Sequence, residues 1–165
     1  HTEYAGDYID NKIIEEVQSK YSGAQITKDM ARRWKEKNSF VGTSTPDSPV
    51  MVDFSIEGKA MTLDITDCIQ NACESIVDPI VENVKTLIAG SNPEYHDQFR
   101  RNMILAGGGS GIDGLGAMIE RRLSDLGDVN VHVVDDPVRL GAMGGLRLAM
   151  EVPEEMWKNL TLASR

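Results

Sequence analysis

The sequence predicts an α/β fold, with a small α+β subdomain over residues 4–64 and an α/β subdomain over 65–165 that ends in helices. Three observations carry the expectation. Apolar residues recur at helical spacing in the first twenty residues and again after Thr66, a hairpin signal separates the two helical stretches, and strand and helix patterns alternate through the last hundred residues. Strands joined through a helix run parallel with a right-handed crossover, so the second unit is expected to be a parallel βαβα layer.

Each element has a local reason. Ile9, Ile13, Ile14, Val17 and Tyr21 make one apolar stripe that stops before Ser22-Gly23. Thr27 can cap a second helix through Lys37, because its hydroxyl can accept from an otherwise unpaired N–H. Segments 49–56 and 59–64 flank Glu57-Gly58, the pattern of a two-residue hairpin. A long helix is predicted from Thr66 to Gly90, with Ile69, Ala72, Cys73, Ile76, Ile80, Val84, Leu87 and Ile88 on one face and a kink at Pro79. After the loop Ser91-Asn92-Pro93 come a strand at 103–106, a helix over 112–126, a strand at 129–134, a helix over 138–150 and a short helix near 154–160.

Composition excludes several functions. A net charge of −9 argues against a nucleic-acid surface, which needs a basic face to neutralise phosphates. No apolar run approaches the ~20 residues that span a bilayer, and Thr2-Glu3-Tyr4-Ala5 has no secretion-signal core, so the chain is expected to be soluble and cytoplasmic, without a transmembrane segment. Cys68 and Cys73 diverge around one helix and read as small packing residues rather than a bridge. His1, His96 and His132 are scattered, so no metal site is assigned, and no catalytic residue is assigned either.

The most informative stretch runs from Asn102 to Gly114, where an apolar strand enters a glycine-dense turn that opens a helix. Glycine lets the backbone approach a ring or phosphate, and unpaired N–H groups at a helix start favour anions. Gly109, Gly111 and Gly114 fit a dinucleotide fingerprint, with Asp135 or Asp136 about 20 residues on, where a ribose-binding carboxylate belongs. A six-stranded dinucleotide domain needs further βα units, and the chain has no room for them on either side. A Rossmann-type oxidoreductase domain therefore stands as the alternative reading.

Gly107-Gly108-Gly109-Ser110 followed by Ile112-Asp113-Gly114-Leu115 resembles the adenosine motif of the actin superfamily. Arg32-Arg33-Trp34-Lys35-Glu36-Lys37 resembles that family's R-x-x-K-E-K segment, and Asp136-Pro137 with Met143-Gly144-Gly145 resembles its strand-end proline and small-residue helix. The strings Ala5 to Asp10, Ser39 to Thr43 and Pro93 to Tyr95, with Gly145 to Ala149 and Met156 to Lys158, are most similar to the magnetosome-associated bacterial actins, ahead of the MreB and ParM branches.

The resemblance implies a partial actin-like ATPase lobe on a ribonuclease H-like βαβα unit, with residues 4–64 matching actin subdomain 4 and 65–165 subdomain 3. It implies ATP or ADP with Mg2+ as ligand of the full-length protein, held on this chain by Arg32, Lys35 and Glu36 from one wall and Gly107, Gly108, Gly109 and Ser110 from the other, with Gly6 approaching the phosphates. Val138 and Arg139 are rim contacts, and Trp34 reads as a core anchor. The implied partners are other copies in a homopolymeric cytoskeletal filament and magnetosome-associated proteins. Actin folds hydrolyse ATP with two D-x-G hairpins and a water-positioning Gln or Glu. No such hairpin precedes Ala5, so this chain is expected to be the C-terminal half and not to hydrolyse ATP by itself.

Overall fold

The computed structural model describes residues 4–137, 139–153 and 156–157. Helix α1 (Gly6–Lys20) buries Ile9, Ile13 and Val17, so the sequence stripe becomes its core face. Helix α2 (Lys28–Asn38) starts as expected, with the Thr27 hydroxyl accepting the Met30 N–H at 3.3 Å. Strands β2 (Met51–Ile56) and β3 (Lys59–Asp64) pair antiparallel around Glu57 and Gly58, both at positive φ, the geometry a tight hairpin requires. A two-residue strand that sequence reading did not anticipate, β1 (Ala24–Gln25), adds to the other edge of β2. It is too short to carry an alternation signal.

Phe54 pins this sheet to the helices, its ring 5.9 Å from Trp34 and 5.8 Å from Tyr21. Tyr21 also donates its hydroxyl to the Asp64 carbonyl at 2.7 Å, which ties the end of α1 to the end of the hairpin. Trp34 is thus part of the packing.

The long helix expected from Thr66 to Gly90 is two helices, α3 (Thr66–Glu74) and α4 (Val77–Ala89). Pro79 causes the division, but upstream of itself. It has no N–H to offer Ser75, and its ring would clash with that carbonyl, so the break falls at Ser75-Ile76 and Pro79 sits in the first turn of α4. Leu87, expected on the core face, is 72% exposed at the outer end of α4. Cys68 and Cys73 are buried free thiols, and burial pushes them up to about 12 and about 11, so neither is a thiolate near neutral pH.

A 3-10 turn at Pro93–Tyr95 leads into α5 (His96–Arg101), a short helix to which the sequence reading assigns no element. Strands β4 (Met103–Leu105) and β5 (Val131–Val133) pair in parallel, as a helical crossover demands. Between them, α6 spans only Leu115–Arg122, with Ser124–Leu126 as a separate 3-10 turn. Its start is delayed from 112 because Gly114 sits in the left-handed region at φ +80°. Helix α7 (Leu140–Glu151) follows Pro137, and most of the expected helix at 154–160 lies outside the described residues.

One core joins the two halves, drawing on residues from Tyr8 to Val131. Ile13, Val17, Val41, Ile65, Ile69, Leu115 and Leu123 are fully buried in a single apolar cluster drawn from both halves of the sequence. The halves are joined at the backbone where Asp113 donates to the Ser39 carbonyl at 3.1 Å and Val41 donates to the Asp113 carbonyl at 2.9 Å. Gly114 is held beside this seam, and a Cβ there would meet the Ser44 hydroxyl and lie 2.8 Å from the Val41 carbonyl.

Gly114→Ala is therefore expected to cost at least about 2 kcal/mol, combining positive-φ strain with a backbone clash, as denaturant unfolding would show. Acid should also weaken the fold. Asp64 is held below the usual carboxylate range by the Thr66 hydroxyl and N–H, and Glu74 by Gln70 and the Gly42 N–H. Their folded values lie below the unfolded ones, so this stability is fully present above about pH 5 and is lost as pH falls through about 4 and lower. Thermal melts across pH 3–6 would record it.

Candidate nucleotide site

Arg32, Lys35 and Glu36 stand at i, i+3 and i+4 on α2 and so share one face of that helix. Glu36 is exposed, with no ion pair among the described residues. Lys35 is drawn inward. Its ammonium lies 2.6 Å from Asp10 Oδ1 and donates to the Gly6 carbonyl at 2.8 Å, with its side chain only 15% exposed. Arg32 bridges two carboxylates of α1, with Nε 3.5 Å from Asp10 Oδ2 and Nη2 3.4 Å from Asp7 Oδ1. Lys28 completes the cluster at 3.0 Å from Asp7, and its hydrogen bond holds Asp7 below the usual carboxylate range.

Gly6, expected near the phosphates, packs against Lys35. Its carbonyl receives Lys35, and a Cβ there would stand 3.2 Å from the Lys35 ammonium. Asp10 escaped sequence reading altogether, because an acidic residue inside an amphipathic helix reads as a solvated position. Its burial between Ile9 and Ile13, with lysine and arginine on the facing helix, was the available signal.

The glycine turn forms a second group. Gly107, at φ +91°, donates its N–H to the Pro137 carbonyl at 3.2 Å, which fixes the turn against the segment leading to α7. The Ser110 hydroxyl donates back to the Gly107 carbonyl at 2.7 Å and is buried, so it closes the turn rather than facing outward. A Cβ built at Gly107, Gly108 or Gly109 would meet nothing within 4 Å. Nothing in the protein's own packing requires glycine at 108 or 109, where φ is ordinary. The open surface there would admit a flat ring against the backbone.

No hydrogen bond or ion pair among the described residues joins the α2 group directly to the glycine turn. They are linked through the backbone seam, since Ser39 follows α2 directly and its partner Asp113 lies two residues beyond the turn's end at Gly111. Beside the seam lies a polar hollow of about 470 Å³ lined by Lys37, Asn38, Ser44, Asp47 and Asp113. Val138 lies outside the described residues, and Arg139 is exposed near Asp136. The Asp136 carboxylate accepts the Arg139 N–H at 3.2 Å as the chain turns into α7. No group of three His, Cys, Asp or Glu side chains suited to a metal ion occurs among the described residues.

A charged helix face and an open glycine turn on separate halves of the chain, joined by one backbone seam, belong to a partial actin-like domain. The chain belongs to the family described as MreB/Mbl protein, whose model matches residues 2–156. It is 36% identical over 156 residues to the actin-like protein MamK of Paramagnetospirillum magneticum and 33% identical to that of Magnetospirillum gryphiswaldense. These matches cover 94% of this chain but only 44% and 43% of the relatives, so the chain spans less than half their length.

Among solved structures it resembles a MamK double helical filament, with a TM-score of 0.85 and 36% identity over 92% of this chain and 46% of the other. It also resembles a non-polymerising MamK mutant bound to AMPPNP, with a TM-score of 0.81 and 37% identity over 89% of this chain and 45% of the other. The fold is thus a partial actin-like domain, and the Rossmann alternative gives way to it.

Because a methyl group at 108 would meet open space, Gly108→Ala is expected to change unfolding free energy by no more than about 1 kcal/mol. A larger loss in a denaturant titration would show that the turn is constrained by the protein itself.

Proposed function

We propose that this chain is the nucleotide-holding part of a bacterial actin-like protein that binds ATP or ADP with Mg2+ and assembles with copies of itself into cytoskeletal filaments. In this reading the full-length protein hydrolyses ATP, lies in the cytoplasm along the magnetosome chain and engages magnetosome-associated proteins. The chain divides as actin subdomains do, with residues 4–64 forming the smaller part and 65–165 the larger.

The single observation that carries the reading is the glycine turn. Its backbone is fixed at Gly107 and Ser110, yet the outer surface at Gly108 and Gly109 is free of protein atoms, on the scaffold shared with a relative solved with a bound ATP analogue. An adenine ring lies flat on that surface. From the other wall, Glu36 accepts hydrogen bonds from the ribose hydroxyls, and Lys35 covers the ring with its stem.

Lys28, Arg32 and Lys35 face only two carboxylates, Asp7 and Asp10, in their cluster. Glu36, exposed on the same helix face, is left to accept from ligand hydroxyls. The residues fit the adenosine end and not the metal, since this chain supplies no carboxylate cluster for magnesium among its described residues.

The filament reading rests on the relatives solved as filaments, and among the described residues no helix is long and apolar enough to cross a membrane. Titration of the full-length protein with ATP, ADP and NADH by calorimetry should show adenine nucleotides preferred, with Lys35→Ala weakening them about tenfold or more. A preference for NADH, indifferent to Lys35, would overturn the proposal.

A further inference from the structure

Asp10 has no part in that reading, yet it is the most unusual residue of the site. Its side chain is 0% exposed, and neither carboxylate oxygen accepts a well-aligned hydrogen bond among the described residues, so ionic contact alone compensates it. We propose that Asp10 is the positioning residue of the nucleotide site, holding the Lys35 ammonium so that affinity depends on a carboxylate the nucleotide never touches. The inference rests on the nucleotide reading above and assigns that site a further member.

The geometry argues for it in three ways. The ammonium is held by the Asp10 carboxylate at 2.6 Å, an ionic contact, and by a hydrogen bond to the Gly6 carbonyl at 2.8 Å, and with three donors it keeps capacity for a ligand. A lysine in water samples many rotamers, whereas one held by two fixed contacts presents that capacity in one place, so little ordering is left for the binding step. Gly6 is matched to the same task, since the ammonium occupies the space next to its missing Cβ.

Stability does not explain the arrangement. A buried ion pair is often no more stabilising than an apolar pair of the same volume, while losing one partner is costly. The exposed pair between Asp7 and Lys28 shows that α1 and α2 can be bridged at the surface without burying a charge. What burial adds is direction: Asp10 fixes the Lys35 ammonium at 2.6 Å from inside the protein, with Arg32 Nε 3.5 Å from its other oxygen.

The test is a mutant cycle in the full-length protein, using Asp10→Asn, Lys35→Met and the double variant, with ADP affinity measured by calorimetry and folding checked by thermal unfolding. Each single variant is expected to bind ADP about tenfold more weakly, and the double variant no more weakly than Lys35→Met, because Asp10 acts through Lys35. A merely structural carboxylate would add its own loss in the Lys35→Met background, and that additivity would overturn the proposal. So would Asp10→Asn binding like the unaltered protein while Lys35→Met is weak, an outcome that leaves the nucleotide reading intact. Normal binding by Lys35→Met would instead overturn the nucleotide reading, and this inference with it. If Asp10→Asn fails to fold, Lys35→Met and the double variant decide alone: equal affinities support the proposal and a further loss contradicts it.

Discussion

The backbone seam between Ser39–Val41 and Asp113 is the constraint on which the rest of this structure depends. Two hydrogen bonds join segments more than seventy residues apart in sequence, and around them Phe40, Val41, Ile112 and Leu115 are buried together. Because α2 ends and α6 begins at this junction, the seam sets the distance between the charged helix face and the glycine turn. Gly114 is the residue that lets it close: with any Cβ there, the backbone of α6 would be held away from Val41 and Ser44. The network of Gln70, Glu74 and Gly42 braces the same strand from α3, so three helices converge on one short stretch of chain.

The two walls are built by different physics. On the helix side, one carboxylate, Asp10, is taken out of water and compensated by the Lys35 ammonium and the Arg32 guanidinium on the facing helix. On the glycine side, backbone hydrogen bonds at Gly107 and Ser110 fix the turn while side chains are simply omitted, which leaves a flat polar surface. In the proposed function, a purine and its ribose would use both: a backbone surface for the ring and a charged edge for the hydroxyls and phosphates. The seam is what connects them through the backbone.

Much of this was legible in the sequence, for reasons that differ by element. The stripe from Ile9 to Val17, the Thr27 cap and the Glu57-Gly58 hairpin are local rules, and the chain obeys them. The division of the long helix was misplaced by four residues, because proline acts on the carbonyl one turn upstream. The late start of α6 reflects Gly114, whose positive φ is imposed by Val41 and Ser44, partners that only the tertiary fold brings near. Strand β1 and helix α5 were too short to show a period. At the site, the glycine turn and the charged helix face were visible as strings. The burial of Asp10 was not, since nothing local distinguishes it from Asp7, which the same helix leaves exposed.

The most direct test of the account is a structure of the full-length protein with ADP bound. The account predicts the adenosine between the α2 face bearing Lys35 and Glu36 and the turn at Gly107–Gly109, with Lys35 still held by Asp10 and Gly6. A nucleotide seated instead against Gly111, Gly114 and Asp136, or anywhere away from the seam, would contradict it.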